Sequence, residues 1–188
     1  MILITGGARS GKSRAAERLA NEAAATLGGS VLYIATALPT DDEMVERIAR
    51  HRESRPQHWH TYEGYQQLSE TVRAQSRTHS VILLECITTM LTNLLFDWAD
   101  GRDPQTLDYD ALEQWLYQQV DALLAAFGSV SVESEVIVVT NELGWGIVPD
   151  NTLSRRFVDI AGRVNQTLAR RADSVYMTVS GIELKIKG

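Results

Sequence analysis

The chain has 188 residues, 44% of them hydrophobic and 22% charged, and a net charge of -6, which suits one globular domain with a real core and argues against a broad basic surface for nucleic acid. Cys86 is the single cysteine, so an intrachain disulfide and a cysteine zinc site are excluded and a reducing cytoplasm is the expected setting. No apolar run approaches the roughly twenty residues of a membrane span, and because the first residues already read as a strand, no signal peptide is expected.

Met1 to Thr5 form a short apolar run, and Gly6-Gly7-Ala8-Arg9-Ser10-Gly11-Lys12-Ser13 follows directly. This is the phosphate-binding pattern G-x-x-x-x-G-K-[ST] between a strand and a helix. Gly6 and Gly11 allow a tight curl and close approach to an anion. The loop N–H groups form a nest for phosphate oxygens, and the helix beginning near Gly11 aims its positive end at them. Lys12 supplies a point charge for the β- and γ-phosphates, and the Ser13 hydroxyl can ligate Mg²⁺. Ala15, Ala16, Leu19, Ala20 and Ala23 continue as a helix to the stop at Gly28-Gly29.

Residues 31–36 read as a second buried strand. After Pro39, the acidic run Asp41-Asp42-Glu43 suits a helix N-terminus. In the helix predicted over 41–54, Met44, Ile48, His51 and Arg55 share an inward face, with Arg47 beside them. On pattern alone His51 reads as a histidine satisfying a core hydrogen bond. A neutral, nucleophilic imidazole between two arginines is the functional alternative. His58 and His60 alternate as in a strand and would share a face, which with no third ligand nearby reads as a solvated edge strand.

Residues 80–85 form a third strong strand ending in Glu85, the place where phosphate-loop enzymes hold the Mg²⁺ shell. The run from Cys86 to Asn93 offers hydroxyls and an amide to cap the next helix or line the site. A loop is predicted over 98–107 and a long amphipathic scaffold helix over 108–127. Residues 135–140 are the fourth buried strand. The segment 141–149, with two glycines, Trp145 and Glu142, leaves its C-terminal end, where open parallel sheets bind ligands, and is a candidate for the second substrate. Asp150 is predicted to cap a helix with the stripe Leu153, Phe157, Ile160, Ala161, Val164 and Leu168, its arginines forming a solvated face. Period-two runs around Ser180-Gly181 predict a hairpin. The fold class is therefore α/β: a single phosphate-loop NTPase-like domain over 1–188, its mostly parallel sheet flanked by helices on both faces, with a C-terminal antiparallel hairpin at the edge.

Several ordered stretches add a resemblance. They are residues 5–14, Tyr33-Ile34-Ala35-Thr36, Arg47-Ile48-x-x-His51-x-x-x-Arg55, Trp59-x-Thr61-x-Glu63, Leu84-Glu85-Cys86-Ile87-Thr88, Val139-Thr140-Asn141-Glu142-x-Gly144, Gly146-Ile147-Val148-Pro149, residues 161–166 and Val179-Ser180-Gly181-Ile182. Over almost its whole length the chain resembles the bifunctional adenosylcobinamide kinase/adenosylcobinamide-phosphate guanylyltransferases of cobalamin biosynthesis. The resemblance implies phosphorylation of adenosylcobinamide by ATP or GTP. It then implies GMP transfer from GTP, through a covalent histidine, to adenosylcobinamide-phosphate, giving adenosylcobinamide-GDP. The covalent histidine maps to His51. The resemblance implies nucleotide contacts at Gly6, Gly7, Ala8, Arg9, Ser10, Gly11, Lys12 and Ser13, at Thr36, Ala37 and Leu38, at Arg52, Glu53, Ser54 and Arg55, and at Glu63 and Glu85. It also implies a homotrimer. A single-step phosphate-loop kinase without a covalent histidine and a nucleotide-binding switch are the competing readings, and only the first of them keeps small-molecule chemistry.

Overall fold

A computed structural model describes residues 1–188, the side chain of Ser54 excepted. The strands are β1 (Ile2–Gly6), β2 (Val31–Ala35), β3 (His60–Glu63), β4 (Val81–Glu85), β5 (Glu135–Val139), β6 (Ser174–Val179) and β7 (Ile182–Lys187). The helices are α1 (Lys12–Leu27), α2 (Asp42–Ser54), α3 (Leu68–Gln75), α4 (Ile87–Ala99), α5 (Tyr109–Gly128) and α6 (Thr152–Arg171). The sheet order is β3-β2-β4-β5-β1-β6-β7, parallel throughout except for the β6–β7 hairpin.

Alternate strand residues face opposite layers, as a period of two requires. Leu32, Ile34, Ile82, Leu84, Val136 and Val138 pack under α3, α4, α5 and α6. Tyr33, Val81, Leu83, Ile137 and Val139 pack with Ala15, Ala16 and Ala20 of α1. These alanines let α1 lie close to the sheet, and its path from the end of β1 crosses β5 and β4. Register brings the strand ends into line. Ala35 pairs with Glu63 on one side and Glu85 on the other, and Glu85 pairs with Val139.

Several local expectations change. β3 begins at His60, so His58 is not a strand partner for it. His60 instead approaches His79, which follows α3, with Nδ1 and Nε2 3.2 Å apart. Asn151, not Asp150, caps α6, its side chain accepting from Ser154 N at 2.8 Å. Helix α4 runs through Trp98 to Ala99 because its apolar side stays on the core. Cys86 caps α4, as its position suggested, with Sγ accepting from Thr89 N.

Candidate active site

The phosphate loop is built against the C-terminal hairpin. At Gly6, φ is 152°, and a Cβ there would lie 2.4 Å from the carbonyl oxygen of Thr178. Only glycine fits so close an approach. Ser10 Oγ and Thr178 Oγ1 are 2.7 Å apart, and Gly181 N donates to Ser10 O at 2.8 Å. Gly11 stands at the N-cap of α1 and no side chain caps that helix, so its first N–H groups point along the loop where an anion is favoured. Lys12 is buried and donates to Gly7 O at 2.5 Å. Burial pulls its ammonium below the ordinary lysine range, opposed by the charges of Glu85 and Glu142.

Glu85 lies on β4, which is separated from β1 by β5. It meets the loop nonetheless, because α1 crosses over β5 and carries Ser13 to it. Ser13 Oγ donates to Glu85 Oε1, and Tyr33 OH donates to Glu85 Oε2 at 2.7 Å. Burial first, and then the Glu85 carboxylate, push the Tyr33 phenol well above its usual range. A hydroxyl beside a carboxylate is a hard-oxygen pair of the kind Mg²⁺ prefers, so Ser13 and Glu85 fit that ion.

Helix α2 stands over this centre. None of its described residues is fully buried, and Met44, Ile48 and His51, with Arg55 just after the helix, are half-buried. They are the positions whose spacing predicted an inward face. On that face His51 is half-buried, at a polar centre and not in the apolar core. Glu17, His51 and Glu85 each bring one ligand atom within 4.8 Å of the others. The Arg55 guanidinium lies 3.8 Å from the centroid of the Tyr33 ring, and its Nε and Nη1 are buried without a hydrogen-bond partner.

The other expected site residues fall into two groups. Arg52 makes a bidentate pair with Glu63, at 2.8 and 2.6 Å, joining α2 to β3. The Arg52 hydrogen bonds hold the Glu63 carboxyl below its ordinary range. Glu53 is exposed, and the side chain of Ser54 lies outside the described residues. Thr36 is fully buried. Its Oγ1 donates to Cys86 O and accepts from Cys86 N, while its carbonyl accepts from Asn93 Nδ2 at 2.7 Å. Thr36 thereby fixes the start of the half-buried Ala37-Leu38 segment.

Two features are not legible in the sequence, the partners of Glu142 and the approach of Glu17 to the site. Glu142 accepts from Thr5 Oγ1 at 2.8 Å and from Asn165 Nδ2 at 3.3 Å, and Asn165 also accepts from Thr140 Oγ1. This part-buried network pins the start of the 141–149 segment, while Trp145, Ile147 and Val148 beyond it are exposed. Glu17 is the second. It sits one turn beyond Ser13 on the same face of α1, and this i, i+4 spacing was the available signal.

Comparison with known proteins places the chain in a family. The model of the family described as cobinamide kinase / cobinamide phosphate guanyltransferase matches residues 2–186. The chain is 51% identical over 187 residues to the bifunctional adenosylcobalamin biosynthesis protein CobU of Escherichia coli (strain K12), covering 100% of this chain and 99% of that protein. Its identity to the protein of the same name from Salmonella typhimurium (strain LT2) is also 51% over 187 residues, with the same coverage. Among solved structures, the flagellar accessory protein FlaH of Methanocaldococcus jannaschii is similar with a TM-score of 0.53 at 17% identity, over 99% of this chain and 77% of FlaH. At that identity the likeness is one of fold. Matched over nearly its full length, this chain belongs to the cobinamide kinase / cobinamide phosphate guanyltransferase family.

Proposed function

We propose that the protein phosphorylates adenosylcobinamide with ATP or GTP and then, through a guanylylated His51, transfers GMP from GTP to adenosylcobinamide-phosphate, forming adenosylcobinamide-GDP. The observation that carries this reading is the meeting of His51 with Glu85 beside the phosphate loop. In the kinase step the loop amides and Lys12 hold the phosphates, and catalysis is mainly positioning and charge stabilisation. Bound at Ser13 and Glu85, Mg²⁺ would neutralise phosphate charge.

In the guanylyl step a ring nitrogen of His51 attacks the α-phosphorus. The N–P bond forms as the bond to pyrophosphate breaks, and pyrophosphate leaves with the electron pair. Arg55, whose buried nitrogens lack partners, is placed to meet the α-phosphoryl charge. A phosphate oxygen of adenosylcobinamide-phosphate then attacks the same phosphorus, and the electron pair returns to the ring. The resemblance also supports a cytoplasmic homotrimer. No helix among the described residues is long and apolar enough to cross a membrane. Ile182, Leu184 and Ile186 are exposed on β7, at the sheet edge, where a subunit contact would cover them.

The test is to incubate the protein with Mg²⁺ and α-³²P-GTP, denature it and locate the label. A base-stable, acid-labile adduct on His51 is expected. Phosphorylation of cobinamide with no adduct would leave a single-step kinase. Sedimentation equilibrium tests the trimer separately.

A further inference from the structure

We propose that Glu17 is the positioning residue for His51, its carboxylate holding the imidazole in the tautomer and orientation that attack requires. This rests on His51 being the nucleophile. An attacking imidazole uses the lone pair of one ring nitrogen, so its proton must sit on the other. Which nitrogen carries it is set by the acceptor that the N–H finds. The ring also gains positive character as the N–P bond forms, and a carboxylate beside the second nitrogen compensates for it.

Two carboxylates come within 4.8 Å of an imidazole nitrogen, those of Glu17 and Glu85. Glu85 is already committed, since Oε1 accepts from Ser13 and Oε2 from Tyr33. Glu17 lies one turn beyond Ser13 on α1, is half-buried, and brings its carboxylate within the same 4.8 Å of the imidazole. The nearby cations cannot serve as the acceptor. Arg55 lies over the Tyr33 ring, and Arg47 and Lys12 carry only donors. Because α1 is anchored by Ala15, Ala16 and Ala20, its carboxylate is a fixed reference for a histidine carried on a helix with no fully buried residue among those described.

The test measures the single-turnover rate of His51 guanylylation against GTP concentration in wild type, Glu17→Gln, Glu17→Asp and Glu17→Ala. It is paired with the His51 tautomer read by ¹⁵N NMR of the histidine-labelled proteins. The rate of Glu17→Ala at saturating GTP is expected to fall roughly 10- to 100-fold, the scale seen when an orienting partner of a histidine is removed. The GTP concentration giving half the maximal rate should change less than about twofold, and the tautomer populations should become mixed. Glu17→Gln, which keeps an acceptor oxygen, should lie between, and Glu17→Asp should recover part of the rate. Alanine is a good helix former, so α1 should persist, and thermal unfolding checks this.

An unchanged saturating rate with an unchanged tautomer overturns the inference. So does a loss confined to the GTP concentration dependence, which would make Glu17 a nucleotide-binding residue. If wild type takes no label, the nucleophile reading fails and the inference falls with it. If wild type labels normally and Glu17→Ala matches it, only the role of Glu17 is lost.

Discussion

Helices α1 and α2 both reach the phosphate loop, and different physics holds each there. Helix α1 is bolted to the sheet by small buried residues, Ala15, Ala16 and Ala20, and its first turn continues the loop itself. Helix α2 has no fully buried residue among those described. It is tied by the Arg52–Glu63 pair, by the Arg55–Tyr33 stack and by a half-buried face. Apolar burial is worth about 25 cal/mol per Å², whereas exposed ion pairs contribute little. The groups proposed to serve both reactions, Lys12 and Ser13, lie on the firm helix. The group assigned to one reaction only, His51, lies on the weakly held one. That division suits an enzyme that must present one phosphate loop to two acceptors, since elements that move come from the low-stability end of a fold.

The largest effect should come from His51→Ala. Labelling by α-³²P-GTP and formation of adenosylcobinamide-GDP are expected to fall below detection, while phosphorylation of adenosylcobinamide continues at a measurable rate. Retained guanylyl transfer would break the division at its centre. Lys12→Ala should instead lower both reactions by roughly 10²- to 10³-fold, as loss of one preorganised charge donor does. Parallel assays of the two steps check this. A loss confined to one step would mean that the firm helix does not serve both.

The same contrast decides what could be read before folding. The strand–loop–helix pattern around Lys12 is local, and so is the i, i+4, i+7 spacing on α2. Met44, Ile48, His51 and Arg55 are indeed its inward positions. What lies inside that face is not local. An inward histidine implies a core until the helix is seen to cover a polar site. Glu17 looks like an ordinary solvated helix position in sequence, because its meeting with His51 depends on how α2 docks. Tyr33 sits in a strand that reads as uniformly buried, which hides that its hydroxyl ends on Glu85. His60 finds His79 rather than His58 for a related reason, since β3 begins two residues later than its alternation suggests.

Tyr33 touches both halves and separates them by substitution. Tyr33→Phe removes the hydrogen bond to Glu85 and keeps the ring under Arg55. It should lower stability by about 1.5–3 kcal/mol, the scale of a hydrogen bond to a charged group, measured by urea unfolding. It should also raise the Mg²⁺ requirement of both steps, about tenfold if Tyr33 acts as an outer partner of a metal ligand. Tyr33→Leu also removes the ring under Arg55, and its additional loss should appear mainly in guanylylation, the step proposed for Arg55. Equal additional losses in both steps would place Arg55 in the shared half.

The smallest effect belongs to Arg52→Ala. The pair with Glu63 is exposed and screened, so global stability should hardly move. Amide exchange in α2 should nevertheless quicken severalfold while α1 stays protected, because the change acts on local opening. The pH dependence follows from Glu63, whose folded pKa is depressed by Arg52. A depressed carboxyl contributes fully above its unfolded pKa, about 4.3, and the contribution is lost as pH falls through the folded value. Exchange in α2 of the wild type should therefore converge on that of Arg52→Ala in acid and diverge from it toward neutral pH. Identical exchange at every pH would show that the Tyr33–Arg55 stack and the half-buried face hold α2 by themselves.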